Sequence, residues 1–132
     1  MERNEERERK IKKVDRLRDS KLYRSVSVVF SDGAGSIQFR NERDRANLSN
    51  VATSCLVLEP SAIVVYRTED DVTHNIPASE MIQIAMQVMA QKQAVTTASW
   101  IHKDALALLN TREEIEAYHI TTGWPDLLTF NR

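Results

Sequence analysis

The chain has 132 residues, 42% apolar and 28% charged, with a net charge of −1. Those totals suit one globular domain and leave out the basic excess that normally drives nucleic-acid binding. A single cysteine rules out an internal disulfide, and no run reaches the ~20 apolar residues of a membrane helix. With no charged-then-apolar start, the chain is expected to be soluble and made in a reducing compartment.

Residues 2–23 read as a helix, rich in Glu, Arg and Lys and free of Gly and Pro. Residues 1–10 carry no apolar stripe and are expected to form a charged N-terminal arm. Ile11, Val14, Leu17 and Leu22 then supply a short stripe, too short for a coiled coil. The arm is read as dispensable for folding and as a contact for neighbouring subunits.

"SVSVVFSDGAGSIQF" predicts a hairpin of about 26–31 with 36–40, turning at the flexible SDGAG. Its glycines lack the spacing of a phosphate loop. "NERDRANLSNVATSCLVL" predicts a helix capped by Asn41, with Asp44 in the first turn and Leu48, Val51, Ala52, Cys55 and Leu56 on one face. "SAIVVYRT" predicts a strand and "VTHNI" a paired return strand, with Pro77 opening the next helix. That helix is expected to run from 77 to about 109, with weak propensity at Thr96–Ser99 allowing a kink. Thr111 and Glu114 form a capping-box pattern for a last short helix. The tail, with Trp124 and Pro125, is expected to be irregular.

Asp70, Asp71 and His74 are the most site-like residues. Adjacent aspartates on a turn point in different directions, and a metal centre needs three or four converging ligands. They are read as a polar turn with a surface histidine. His102 and Asp104 face apart on a helix, and His119 follows the last helix. Glu113, Glu114 and Glu116 read as a solvated helix start. Cys55 reads as a buried hydrophobe. Met81, Met86 and Met89 read as core filling, with a partner groove as the alternative. No catalytic residue, cofactor or metal is expected.

Two stretches, "VDRLRDSKLYRSVSVVFSDGAGSIQFRNERDRANLSNV" and "VVYRTEDDVTHNIPASEMIQI", together with the late "GWP", resemble a domain of unknown function found in bacteriophage tail-fibre and tail-assembly proteins. The resemblance covers roughly residues 11–110. It implies a virion role: a non-enzymatic fibre, baseplate or adaptor subunit, made in the host cytoplasm, or else a tail-fibre assembly chaperone. Expected partners are other tail proteins and copies of the chain, as a trimer or hexamer, with no nucleic acid and no membrane. Ile11, Val14, Leu17, Tyr66, Trp124 and Pro125 are the candidate partner contacts. The expected fold is α+β: a small antiparallel sheet of two hairpins against an N-terminal helix, a middle helix and one or two long C-terminal helices. The expected division is an arm (1–10), the α+β domain (11–110) and a short helix with a tail (111–132).

Overall fold

A computed structural model of the chain describes residues 2–126 and 130–131, with side chains from 4 to 126. The fold is α+β. Its elements are α1 (Glu2–Leu22), β1 (Val26–Phe30), β2 (Gly33–Ile37), α2 (Glu42–Cys55), β3 (Ile63–Arg67), β4 (Thr73–Pro77), α3 (Ala78–Ala107), α4 (Arg112–Ala117) and β5 (Phe130–Asn131). Two compact units divide the described residues, 2–22 with 92–126 and 23–91 with 130–131.

In the second unit the period-two pattern decides what is buried. Val26, Val28 and Phe30 of β1 point inward, while Ser27 and Val29 point out. Ile37 and Phe39 are fully buried beside them. The turn is tighter than the sequence predicted. Ser31 and Asp32 make it, and Gly33–Ile37 pair with Phe30–Val26. Gly35 is therefore a strand residue. A Cβ there would lie 2.7 Å from Thr68 Cγ2 and 2.8 Å from His74 Nε2, so only glycine lets the second hairpin approach.

Residues 63–67 pair with 73–77, as expected for the return strand. Pro77 closes β4 and does not open α3, because Ile63 lies opposite it and the Ala78 N–H donates to Ala62 O at 2.8 Å. The two hairpins do not form the single sheet that was expected; β3–β4 is a separate ladder. One backbone bond, Glu69 N–H to Ser36 O at 2.9 Å, joins them. Their inward side chains share one core with α2 and the first half of α3. The tail is not wholly irregular: Phe130–Asn131 pair in parallel with Val28–Val29.

The predicted cap of α2 is present: Asn41 Oδ1 accepts the Asp44 N–H at 3.0 Å. Leu48 and Cys55 are buried on its inner face, while Leu56, beyond the helix end, is exposed. α3 has no break at 96–99. The hydroxyls of Thr96 and Ser99 donate back to the carbonyls of Lys92 and Thr96 within the helix, so these residues find partners without leaving helical geometry. Met81, Ile84, Ala85 and Val88 are buried in the second unit; Val95, Ser99, His102 and Leu106 are buried in the first.

In the first unit Val14 packs with Leu106 and Ile115, flanked by Ile11 and Leu109. Neither α3 nor α4 has a basic residue in its own last turn. Their orphan carbonyls are satisfied from α1. Arg7 donates to Leu106 O at 3.1 Å and Leu109 O at 2.5 Å. Lys10 donates to Glu116 O at 2.9 Å and Tyr118 O at 2.6 Å. Both cations meet the negative ends of helix dipoles. Residues 6–10 thus belong to the packed unit. The double substitution Arg7→Met, Lys10→Met is expected to cost about 1–3 kcal/mol, the worth of hydrogen bonds from charged donors. Hydrogen exchange should speed up at residues 106–118 before it does at 63–77; unchanged exchange there would refute the capping role.

Candidate functional site

The strongest polar cluster joins the two hairpins of the second unit. His74 sits on the inward face of β4 and is only 1% exposed. The period of the strand puts it there beside Ile76, so it is not the surface histidine that the sequence predicted. Asp32, in the first hairpin's turn, reaches across: its Oδ1 accepts from His74 Nδ1 at 2.7 Å and its Oδ2 from the Asn75 N–H at 2.8 Å. On the other side of the ring, Nε2 lies 3.3 Å from Thr68 Oγ1. Thr68 donates in turn to Asp70 Oδ1, with Val72 O a further acceptor at 3.1 Å. Phe30 stacks on the imidazole at 4.5 Å between centroids.

Electrostatics follow the bonds. The His74 N–H, and then the Asn75 amide, hold the Asp32 carboxyl below the usual 3.8. The Thr68 hydroxyl holds Asp70 below it too. Carboxylate, imidazole and hydroxyl follow one another as in a nucleophile triad. The setting does not suit that chemistry. Asp70 Oδ1 competes for the hydroxyl proton, and Thr68 is buried at 4% exposure, leaving no approach for an electrophile. The cluster acts as a clasp between hairpins. Ser31 extends it: its N–H and hydroxyl both donate to Glu80 Oε2 at the start of α3.

The expected trio is split. Asp70 and His74 meet through Thr68, whereas Asp71 turns out into solvent. Asp71 adopts left-handed backbone at φ 61 and pairs loosely with Arg67 at 3.5 Å. Asp32 and Thr68 were not singled out from the sequence. Asp32 lies 42 residues from His74, and no local pattern links them. No group of three His, Cys, Asp or Glu among the described residues is arranged to hold a metal ion. Cys55 is buried, and burial pushes its thiol up. Met81 is in the core, Met89 half-buried and Met86 exposed.

The candidate partner contacts lie in different settings. Val14 is fully buried, with Ile11 packed against the same cluster; Leu17 is half-buried. Trp124 stacks on His102 at 5.2 Å and donates to Ile120 O at 2.7 Å, with the Lys21 ammonium 5.9 Å from its ring. His102 Nε2 donates to Thr122 O at 2.7 Å, and Tyr118 O–H lies 2.8 Å from Nδ1. Gly123, at φ +80, supplies the left-handed turn between them. The "GWP" motif therefore fastens the tail onto α3 within the first unit, with Pro125 half-buried after it. Tyr66 is half-buried against Phe30, and burial followed by the nearby Asp44 charge pushes its phenol up to about 12.

The family described as Domain of unknown function (DUF4376) matches residues 5–121, so the chain belongs to that family. No curated protein and no solved structure matches it. No helix among the described residues is long and apolar enough to cross a membrane.

Two outcomes follow from the clasp. Gly35→Ala drives a methyl group into Thr68 and His74 and is expected to cost about 1–3 kcal/mol of stability in denaturant unfolding; a neutral effect would show that the hairpins are not held this closely. Asp32 and Asp70 have lowered folded values, so their stabilisation is complete above the unfolded value of 3.8 and is lost as pH falls through the folded ones. Acid unfolding followed by circular dichroism should therefore steepen below pH 3.8, and Asp32→Asn should flatten that slope. An identical acid profile for the variant would contradict the clasp.

Proposed function

We propose that this protein is a non-enzymatic structural component of a bacteriophage tail, a fibre, baseplate or adaptor subunit, that works by assembling with copies of itself and with other tail proteins. The resemblance of residues 11–110 to tail-associated domains supports the setting. The outward face of β3 carries the assembly reading. Ile63 is 63% exposed and Val65 69% exposed, and Leu56, Val57 and Leu58 are exposed in the turn that leads there. β3 has β4 on one side and no ladder partner on the other among the described residues. β-branched side chains on an unpaired strand edge are a template for pairing with another chain, and folded proteins usually blunt such edges.

The polar cluster fits the same reading, since each member already has a partner inside the fold. A tail-fibre assembly chaperone would use the same exposed strand transiently. Mass spectrometry of purified particles separates the two: a structural subunit is present at fixed copy number, a chaperone absent.

The test in solution is direct. Light scattering should give the wild-type chain a multiple of 15.1 kDa. Ile63→Lys with Val65→Lys should lower that mass while leaving the circular dichroism spectrum intact, because both side chains point outward. A wild-type monomer, or a double variant with undiminished mass, would overturn assembly through β3.

A further inference from the structure

We infer that the cleft between α2 and the end of β3 is a binding site for one neutral sugar ring. The cleft holds about 180 Å³ and is lined by Gln38, Asp44, Asn47, Leu48, Val51, Tyr66 and Arg67. That volume falls below the roughly 300–1,000 Å³ of sites for drug-sized ligands, and it suits a single six-membered ring. Asp44, Asn47, Leu48 and Val51 fall at i, i+3, i+4 and i+7, so one face of α2 forms a wall. Val51 and Tyr66, both half-buried, give the mainly polar cleft a small apolar part.

The polar groups of the cleft match hydroxyls better than charges. The side chains of Gln38 and Asn47 and the Tyr66 hydroxyl make no hydrogen bond with any of the described residues. Each amide both donates and accepts, and Tyr66 stays a neutral phenol that donates. Asp44 is 6% exposed. Its Oδ2 accepts from the Arg40 N–H at 2.8 Å and from Arg40 Nε at 2.9 Å, whereas Oδ1 has one long contact, 3.3 Å to Arg40 Nη2. Oδ1 keeps room to accept from a ligand hydroxyl. Vicinal hydroxyls need neighbouring acceptors and donors, which Asp44 and the two amides provide. A cation would gain little, because Arg40 already pairs with Asp44; Arg67, the other charged side chain of the lining, is drawn towards Asp71.

This assignment rests on the cleft alone and stands or falls apart from the tail reading. The test is an amide-resonance titration of the full chain with the methyl glycosides of glucose, galactose, mannose and N-acetylglucosamine, with cyclohexanol and acetate as controls. At least one glycoside should give saturable shifts confined to residues around 38, 47, 48 and 66, with a dissociation constant of about 1–10 mM for so few contacts. Asn47→Ala, on an exposed helical position, should weaken it about tenfold, the effect of one lost hydrogen bond with its partner left unpaired. Tyr66→Phe should weaken it too while keeping the ring. No shift with any glycoside, equal shifts with cyclohexanol or acetate, or full affinity in Asn47→Ala would each overturn the assignment.

Discussion

The contact between Asp32 and His74 is the constraint on which the second unit depends. Two-stranded hairpins are marginal on their own, and here the two share only one backbone hydrogen bond. A histidine buried at 1% exposure would be costly without partners. Asp32 supplies one, Thr68 meets the other ring nitrogen, and Gly35 leaves the space for both. The same aspartate holds the Asn75 amide, so the turn of one hairpin anchors β4 of the other. Ser31 and Glu80 then tie that turn to α3.

What remains outside the clasp bears on function. Each member of the polar cluster has a partner within the fold. The outward side of β3 is the opposite case: β-branched residues face solvent on a strand with an open edge among the described residues. The first unit uses its charge inwardly as well. Arg7 and Lys10, from the most polar stretch of the sequence, close the ends of two helices whose own last turns hold no basic residue. A sequence that looks like a solvated arm thus contributes to packing.

Local rules made much of the fold legible. Asn41 and Thr111 cap the helices they precede. Along α3, Met81, Ala85, Val88, Val95, Ser99, His102 and Leu106 are buried at helical spacing. Alternation located β1, and the β-branched run SAIVVYRT located β3. The misses arose where distant parts of the chain decide. SDGAG contains two turn residues followed by the start of a strand, and a close approach, not flexibility, requires Gly35. Pro77 belongs to the strand before it because of its pairing with Ile63. The burial of His74 could be read from period two once the strand's inner face was known, but its partner 42 residues away could not. The uncommitted amides of Gln38 and Asn47 are likewise invisible until α2 and β3 are placed side by side.

We propose that β3 faces a neighbouring subunit. Hydrogen–deuterium exchange of the full chain, measured at rising protein concentration, tests it most directly. The account predicts that the amides of residues 63–67 become protected as concentration rises, while those in the clasp at 74–76 stay at constant, high protection. Exchange at 63–67 that is fast and independent of concentration would contradict it.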